Sequence, residues 1–272
     1  MVDTVKTIGI NGDYTDPILW AAAEGNVNDG TRAVGELISD VTMSTLFRPN
    51  QSFPNGGLLR GADQQTGVSG AGQKLGNTAG TRICLSPSGN LDFQDIEFIK
   101  GSNTYTTQII GSSVFTRCIH DGGTVSYGAD SAPEFYNNVL AYFDGSNATT
   151  ATTIKMHNCT LESRVIIREN ITLEIKNSNS LATDWLLGRG TYTGSDTLVN
   201  YCYILQNAPA GDFGAGSSNN TLNTDTTLEM VSYATKDYRI KSTSTLATAG
   251  EGGTFVGAFL EAASGIEVWT DT

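Results

Sequence analysis

The chain has 272 residues, of which only 16% are charged, and a formal net charge of −12. This length can bury a sizeable core in one elongated domain or two compact ones. The acidic balance, with 16 Lys and Arg against 28 Asp and Glu, argues against a nucleic-acid partner, because phosphates require a basic surface. No window reaches the roughly 18 apolar residues of a membrane span, so we expect no membrane insertion.

The composition favours strands over helices. The chain contains 35 Thr, 20 Asn and 31 Gly, and these residues are weak helix formers. Large apolar residues recur all along the chain, which argues against disorder. We therefore expect an all-β protein with short strands and tight turns.

The N-terminal region predicts a cap. The first seven residues lack the charged start and apolar run of a secretory signal, so we expect either a mature form or synthesis in a host cytoplasm. One helix is predicted further on, with Asp16 or Thr15 as its N-cap, Pro17 in its first turn and Gly25 at its end. Its Ile18 and Trp20 would cover the open end of a stack of strands.

Strands and loops are predicted in the next segments. Gly57–Gly61 and residues 81–85 have the pattern of early strands, and residues 225–233 that of a late one. Residues 66–80 and 207–220 are rich in Gly, Ser and Asn and predict loops that leave the wall of the fold. Such loops are the natural places for specificity.

The middle of the chain repeats with a period near 21 residues. Each repeat begins with a large apolar residue, and the six are Phe93, Phe115, Phe135, Met156, Ile175 and Val199. A small or medium residue follows three positions later: Ile96, Cys118, Asn138, Cys159, Ser178 and Cys202. Two positions further on, the series is Phe98, His120, Leu140, Leu161, Ser180 and Ile204.

A tight bend is predicted within each repeat. The residues just before the small position are Asp95, Arg117, Asn137, Asn158, Asn177 and Tyr201. Asn suits a bend because it tolerates the left-handed conformation and can bond along a stack of its neighbours. One strand–bend–strand unit per period predicts a β-solenoid, which we favour over a leucine-rich horseshoe. We expect a cap with a short helix and the first strands at residues 1–54, parallel rungs at 55–245, and closing strands with a tail at 246–272.

Two segments resemble a known family. The opening Lys6-Thr7-Ile8-Gly9, Gly12-Asp13-Tyr14, Trp20 and Val34-Gly35-Glu36 is similar to the entry segment of pectate-lyase-like, right-handed parallel β-helix proteins of phages and marine bacteria. The close, Asp237 to Ser242 followed by residues 249–250 and 256–259, resembles the final rungs of that group. The resemblance implies a right-handed parallel β-helix with a short N-terminal capping helix, but it does not fix the chemistry.

The cysteines are expected to be free. Cys84, Cys118, Cys159 and Cys202 include no CxxC pair, so no zinc site is predicted. The last three share one position of alternate rungs, roughly 9–10 Å apart, and a disulfide needs Cα atoms within about 7 Å. We therefore predict buried thiols, which also fit a reducing compartment.

No catalytic, metal or cofactor-binding residue is predicted. The resemblance implies a calcium-binding acidic cluster with an arginine base for the pectate lyases, and two carboxylates do not occupy the same position of adjacent rungs here. The outward series instead reads Glu97, Ile119, Val139, Thr160, Asn179 and Tyr203. Asn223-Thr224-Asp225 and Arg239-Ile240-Lys241 match two polygalacturonase motifs, but the two middle motifs are missing, so we treat them as accidental.

One group of residues offers a catalytic alternative. His120 and Asp121, with Arg117 and Glu134 nearby in sequence, could supply a general base. The favoured interpretation is that His120 fills an apolar slot and Asp121 begins a Gly-rich turn. We expect His157 to be solvent-exposed, and Arg164, Arg168 and Glu169 to form a charged face rather than a site.

Outward aromatic residues suggest an interface. Tyr136, Tyr142, Tyr201, Tyr203 and Trp185 could stack on sugars, but burial between subunits is favoured. The apolar tail, residues 255–269, would contact a partner surface or cap the last rung. We expect a homo-oligomer, with a trimer favoured because phage β-helices of the resembled type are typically parallel trimers.

Two functions remain open. The first is a non-catalytic structural protein of a bacteriophage virion, most simply head (capsid) decoration or else a short tail appendage, with major capsid or tail proteins as partners. The second is a polysaccharide-binding or polysaccharide-degrading β-helix, a lyase or hydrolase, with a cell-surface glycan as partner. Localisation to the virion, without any cofactor, is the favoured prediction.

Overall fold

The structure is a computed structural model. It describes residues 2–48, 51–78, 84–86, 90–100, 105–109, 112–127, 132–145, 151–167, 171–181, 186–188, 197–205, 216–222 and 224–261. It confirms an all-β parallel β-solenoid with a short N-terminal helix. The parallel pairing of successive strands is consistent with the predicted right-handed winding.

The first sheet has nine parallel strands, one from each successive turn of the chain. In spatial order they are β1 (Val2–Ile8), β2 (Thr31–Leu37), β4 (Gly57–Gly61), β7 (Leu91–Gln94), β10 (Val114–Thr116), β12 (Glu134–Tyr136), β14 (Thr152–His157), β17 (Ile171–Lys176) and β20 (Thr197–Asn200).

The second sheet lies across the core from the first and has thirteen strands. Its main path is β3 (Val41–Met43), β5 (Gln73–Asn77), β8 (Ile96–Ile99), β11 (Ile119–Tyr127), β13 (Val139–Asp144), β15 (Thr160–Leu161), β18 (Asn179–Ser180), β21 (Tyr203–Ile204) and β22 (Thr221–Leu222). Four more strands pair beside this path: β6 (Cys84–Ser86), β9 (Tyr105–Ile109), β16 (Val165–Ile167) and β19 (Leu186–Gly188).

The predicted helix is confirmed. Helix α1 covers Pro17–Glu24, and the Asp16 side chain caps it by accepting from the backbone N–H groups of Ile18 and Leu19. Trp20 is fully buried and lies against Phe53, with 5.5 Å between ring centroids. A Cβ on Gly35 would lie 2.8 Å from the Trp20 ring, so the indole takes the place of a side chain at this end of the inner column.

The six repeat-initiating residues form one inner column, as predicted. Phe93, Phe115, Phe135, Met156, Ile175 and Val199 pair rung by rung in register, and each is at most 1% exposed. The Phe93 and Phe115 rings stack at 4.9 Å, and those of Phe115 and Phe135 at 5.2 Å. Stacking of like side chains at strand spacing gives each rung a partner on both sides.

The bend column is also confirmed. Asp95, Arg117, Asn137, Asn158, Asn177, Tyr201 and then Asn219 all have φ between 48° and 58°. Each bend N–H from Asp95 to Tyr201 donates to a backbone carbonyl of the following rung. The side chains of Asn158 and Asn177 do not bond along the bend as expected; they bond to the C-terminal segment instead.

The small positions alternate between thiols and hydrogen-bonding side chains. Cys118, Cys159 and Cys202 are buried and free, as predicted. Their backbone N–H groups donate to the side chains of Asn138, Ser178 and Asn220 at 3.0–3.1 Å. Asn138 and Ser178 in turn each donate to carbonyl groups of two rungs, and Asn220 donates to the Val199 carbonyl of the preceding rung, which ties neighbouring bends together.

Residues 224–261, here called the strap, run along the outside of the second sheet. They contain β23 (Met230–Ser232), β24 (Asp237–Ile240) and β25 (Phe259–Leu260), and four single-turn 3-10 helices at Thr227–Glu229, Tyr233–Thr235, Thr245–Ala247 and Glu251–Gly253. β23 and β24 are antiparallel, so residues 237–240 do not stack as the final rungs that the resemblance implied.

The strap buries the apolar part of the outward series. Ile119, Val139 and Leu181 form a second core with seven strap residues: Met230, Tyr238, Ile240, Leu246, Val256, Ala258 and Phe259. Polar contacts fix its position, because Ala258 N–H donates to Thr160 Oγ1 and Asn158 Nδ2 donates to the Phe255 carbonyl. Residues 255–261 therefore pack on the wall and not on the last rung; the rest of the predicted tail lies outside the described residues.

The pattern of strands differs from the prediction at one further place. Residues 73–77, predicted within a loop, form β5, because Leu75 is fully buried beside Phe98 on the inner side of the second sheet. Gly57–Gly61 is β4 as predicted, whereas residues 81–83 lie outside the described part of the chain. β1 and β2, the first strands of the predicted cap, belong to the first sheet, where β1 pairs with β2 and β2 pairs with β4; the segment boundaries 54/55 and 245/246 stay a prediction.

We predict that Phe115→Ala lowers the free energy of unfolding by about 3–5 kcal/mol, because a fully buried ring leaves a cavity between two stacked rings. Urea unfolding followed by circular dichroism measures this. Thr116→Ala, one residue along and on the opposite face, is the control and should change the free energy by less than about 0.5 kcal/mol. Similar losses of unfolding free energy in both variants would contradict the packing of Phe115 in the inner column.

We predict that Gly67→Ala loosens the strap. A Cβ at Gly67 would lie 2.5 Å from Phe259 Cγ, so the ring must move off the wall. Gly70→Ala is the matched control, since its φ is also positive (86° against 91°) but the nearest atom, Lys74 Nζ, is 3.6 Å away. Hydrogen exchange should become faster in Asp237–Ile240 and residues 255–261 in the first variant only; equal exchange in both would refute the contact.

Candidate functional site

His120 lies in the core, as the favoured interpretation predicted. Its ring stacks on Phe98 with centroids 4.7 Å apart and is fully buried between Phe98 and Leu140 of neighbouring rungs. Burial lowers its pKa to about 3, so the imidazole is neutral at any physiological pH. A buried neutral ring of this kind is a packing group and cannot act as a base toward a ligand on the surface.

The neighbours of His120 in sequence are dispersed. Asp121 is on the outer side and pairs with Lys236 of the strap. Arg117 forms a bidentate ion pair with Asp95, in which both N–O distances are 2.7 Å. Glu134 is in the first sheet and bonds to Lys155. The predicted turn at Asp121 is wrong: β11 continues through this residue, with a register shift before Thr124 and a positive φ at Gly122.

A cluster of polar side chains lies on the outer face of the first sheet. We call it the polar face; it consists of Glu134, Tyr136, Lys155, His157, Glu174 and Lys176 on β12, β14 and β17. Strand alternation turns these side chains outward, because Phe135, Met156 and Ile175 between them point inward. The register then places Glu134, Lys155 and Glu174 in one row, and Tyr136, His157 and Lys176 in the next.

Five members of the polar face are joined to one another, whereas the sixth, Lys176, pairs with Glu251 of the strap at 2.9 Å. Lys155 Nζ lies 2.8 Å from Glu134 Oε1, and the Tyr136 hydroxyl donates to Glu134 Oε2 at 2.6 Å. His157 Nε2 lies 3.1 Å from Glu174 Oε1, and its ring meets Tyr136 edge-on with centroids 5.5 Å apart. Opposite charges thus alternate along the row, as expected of favourable cross-strand pairs.

Protonation on this face is set by burial and pairing. Partial burial raises the pKa of Glu134, but hydrogen bonds from Lys155 and Tyr136 lower it by more. The pKa of Glu134 therefore lies below its ordinary value. Burial lowers the pKa of His157 despite the opposing effect of Glu174, so the ring is neutral at pH 7. Its side chain is only 18% exposed, and the prediction of a solvent-exposed His157 is therefore wrong.

A second polar cluster joins the wall to the strap. The Tyr238 hydroxyl donates to Glu162 Oε1 at 3.0 Å, and the Tyr233 and Tyr238 rings meet edge-on at 6.2 Å. Burial raises the pKa of Glu162, and it also raises the pKa of both tyrosines. Glu162 and Asp121 occupy one column two rungs apart, so this acid pair could have been found by comparing alternate rungs as well as adjacent ones.

The other residues singled out from the sequence have structural roles or lie outside the described residues. Glu97 is fully buried and accepts from Ser69 Oγ and Gly70 N–H, each at 2.6 Å. Asp225 accepts from Thr227 within a turn, and Arg239 pairs with Asp237, so the polygalacturonase-like tripeptides serve local structure. Arg164 is exposed; Arg168, Glu169, Trp185 and Asn223 lie outside the described part.

The polar face can bind, but its groups are arranged as paired charges. It offers carboxylate, amino, phenol and imidazole groups on a flat sheet, which suits hydrogen bonding to a polyhydroxylated or charged partner. Among the described residues, no three His, Cys, Asp or Glu side chains converge as a metal site would require. No helix in the described part of the chain is long and apolar enough to cross a membrane.

No protein family, curated protein or solved structure matches this chain. The parallel β-solenoid is thus established by the strand pairing alone, and it is shared by proteins of many functions.

We predict opposite pH signatures for two glutamates. The raised pKa of Glu162 means that its contribution to stability is present at acid pH and is lost as the pH rises through that pKa. Glu162→Gln, which keeps an acceptor for Tyr238, should therefore be as stable as the wild type near pH 4 and more stable than the wild type near pH 7.

For Glu134, whose pKa is lowered, the contribution to stability is lost as the pH falls. Glu134→Gln should therefore be less stable than the wild type near pH 7 and equally stable at acid pH.

Urea midpoints across this pH range test both variants. The wild-type protein is the reference at each pH, and the two variants act as controls for each other because the same charge is removed from different surroundings. If both variants shifted in the same direction, pairing and burial would not govern these carboxylates.

Proposed function

We propose that this chain is a non-catalytic structural protein of a bacteriophage virion, most simply a head decoration protein, with a short tail appendage as the other position. The observation that carries the proposal is the strap. It binds the turns of the solenoid together from outside, through an apolar core with Ile119 and Val139 and through bonds to Asn158, Thr160 and Asn177. A solenoid whose turns are held together in this way suits a structural role, which requires a fixed shape and high stability.

The placement of reactive groups supports the same proposal. His120 is a packing group, and burial raises the pKa of the three described thiols to about 12. The carboxylates Asp95, Glu97 and Glu134 are each held by a cation or by hydrogen bonds from neighbouring groups. Groups that are engaged in this way stabilise the fold and are poorly placed to transfer protons to a substrate.

The proposed oligomer is a trimer, and the polar face is the surface through which it would form. Ile119 and Val139, and the partly buried Tyr203, are covered by the strap of the same chain, so the wall does not provide the apolar subunit interface expected from the sequence. The first sheet presents its alternating charges over at least three rungs, which suits contact with a like or a different protein. Major capsid or tail proteins remain the proposed partners.

The polar face also favours a second candidate function, binding or cleavage of a polysaccharide. Tyr136 and His157 place ring edges and hydrogen-bonding atoms beside Glu134 and Glu174 on an open sheet. Sugars are recognised through such combinations of apolar ring surface and polar groups. A cell-surface glycan is the partner in this alternative.

We expect no turnover when the purified protein is incubated with acidic polysaccharides. Reducing ends and the ultraviolet absorbance of unsaturated products are the readouts, with a known polysaccharide lyase as the positive control. Turnover that is lost in Glu134→Gln or Glu174→Gln would replace the structural proposal by the second candidate. Quantitative mass spectrometry of purified virions is the complementary test: many copies per particle indicate the head, few copies indicate the tail, and none would refute the virion assignment.

A further inference from the structure

The N-terminal end of the solenoid exposes apolar side chains out of proportion to its size. Among the described residues, eight large apolar side chains are exposed, and six of them lie within the first 38 residues. Their exposure ranges from 38% to 75%; they are Val2, Val5, Ile10, Leu19, Val27 and Ile38. Trp20 already closes the interior at this end, so these side chains are not needed to cap the core. Such a concentration of apolar surface marks an interaction site.

A groove lies at the same end. We call it the end groove; it encloses about 320 Å³ between residues 9–10, the start of α1 and residues 40–45. Ile10 and Ile18 supply apolar surface, and Asp16 and Asp40 supply carboxylates. This volume is at the lower end of the range for ligand pockets, which run from about 300 to 1,000 Å³. It is too small for a globular partner and suits a few residues of an extended chain.

One side of the end groove is an open strand edge. β3 is the terminal strand of the second sheet, and among the described residues it pairs only with β5. The Met43 carbonyl accepts from Thr78 N–H at 2.9 Å and so faces β5. Backbone groups alternate in direction along a strand, so the N–H and C=O of Thr42 face the groove. An open edge of this kind is a template for an added strand.

The corresponding edge of the first sheet is blunted. β1 is its terminal strand, but Thr7 N–H donates to Asp13 Oδ2 at 2.9 Å and the Thr7 carbonyl accepts from Tyr14 N–H. The turn between β1 and α1 thus occupies the end of that strand. The end groove beside β3 is where the edge remains available.

The charge of the end groove selects its occupant. Asp16 Oδ1 accepts from Ile18 and Leu19 N–H, and Asp40 Oδ1 accepts from Lys74 N–H, whereas in the described structure the Oδ2 atom of each makes no hydrogen bond. None of the described residues that line the groove is Lys or Arg. Two carboxylates beside a strand edge favour a chain with basic side chains.

We propose that the end groove is a docking site for an extended, basic segment of a partner protein, which adds to β3 as a strand. Its backbone would bond to Thr42, its Lys or Arg side chains would meet Asp16 and Asp40, and its apolar residues would contact Ile10 and Ile18. A second copy of this chain is a poor occupant of this groove, because a chain with a net charge of −12 would meet two carboxylates there, whereas the polar face carries both signs of charge. The proposal concerns this end alone and does not depend on the assignment to a virion.

A synthetic peptide tests the site directly. The probe is fluorescein-labelled Gly-Lys-Val-Thr-Val-Lys-Gly, and its partner probe carries Glu in place of both Lys. We expect fluorescence anisotropy at low salt to show binding of the Lys peptide, with the Glu peptide bound at least about tenfold more weakly. Hydrogen exchange should slow at residues 9–10 and 40–45 when the Lys peptide is bound.

Three variants separate charge from strand pairing. Asp16→Asn combined with Asp40→Asn removes both charges while the amide oxygens still accept the backbone bonds, and we expect at least about a tenfold loss of affinity. Thr42→Pro removes the groove-facing N–H, a change tolerated on an edge strand, and should weaken binding by a similar factor. Asp225→Asn, a carboxylate of the strap, is the matched control and should leave affinity unchanged.

The outcomes decide the proposal. Equal affinity for both peptides, absence of binding to the wild type, or protection on the polar face instead of the end groove would each overturn it. Dimerisation of the protein that the Asp16 and Asp40 variant abolishes would overturn it in favour of a second copy as occupant. Urea midpoints verify that each variant is folded; if Thr42→Pro is not, the Asp16 and Asp40 variant decides alone.

Discussion

In-register stacking of the inner column is the constraint on which this structure depends. No single rung encloses a core, since each contributes only a strand or two, and a rung is stable because its inner side chain contacts those above and below. The stacked rings of Phe93, Phe115 and Phe135 show the contact at its simplest. At its N-terminal end the inner column is closed by Trp20, whose ring occupies the space that a side chain at Gly35 would fill.

The bend and the strap follow from this stack. Each rung must turn sharply at the same place, so seven successive bends share a left-handed residue although only four of them are Asn. The stack also leaves Ile119 and Val139 on its outer surface, where they would face water. The strap resolves that problem by bringing a second, smaller core to the outside of the second sheet, and it thereby fastens several turns to each other.

The sequence predicted what the repeat encodes and little beyond it. The sequence predicted the inner column, the bends and the free thiols, because residues of the same type recur at equivalent positions of the turns. It also predicted α1, because Asp16, Pro17 and Gly25 mark the limits of that helix. The strap has no repeat, and its contacts join residues as far apart as Asn177 and Glu251. The half-buried position of His157 depends on Glu174 in the following rung, a pairing that becomes visible only once the register is known.

The candidate sites were harder to predict for the same reason. Burial raises the pKa of Glu162, and its hydrogen-bond partner Tyr238 is brought by the strap from more than 70 residues away in sequence. The end groove depends on a strand edge, and an edge is a property of the assembled sheet that no short motif records. The polar face could be predicted in part, since Tyr136 was expected to point outward. Its ion pairs could not, because they follow from the exact pairing of the rungs.

The alternation of thiol and hydrogen-bonding side chains along the small positions gives the solenoid an effective repeat of two turns, twice its geometric period. Loss of one whole turn would leave the backbone ladder intact yet set two cysteines on neighbouring rungs, roughly 4.8 Å apart and within reach of a disulfide. The polar partner of one cysteine N–H would vanish with the deleted turn. Length variation in a protein of this design should therefore proceed by pairs of turns.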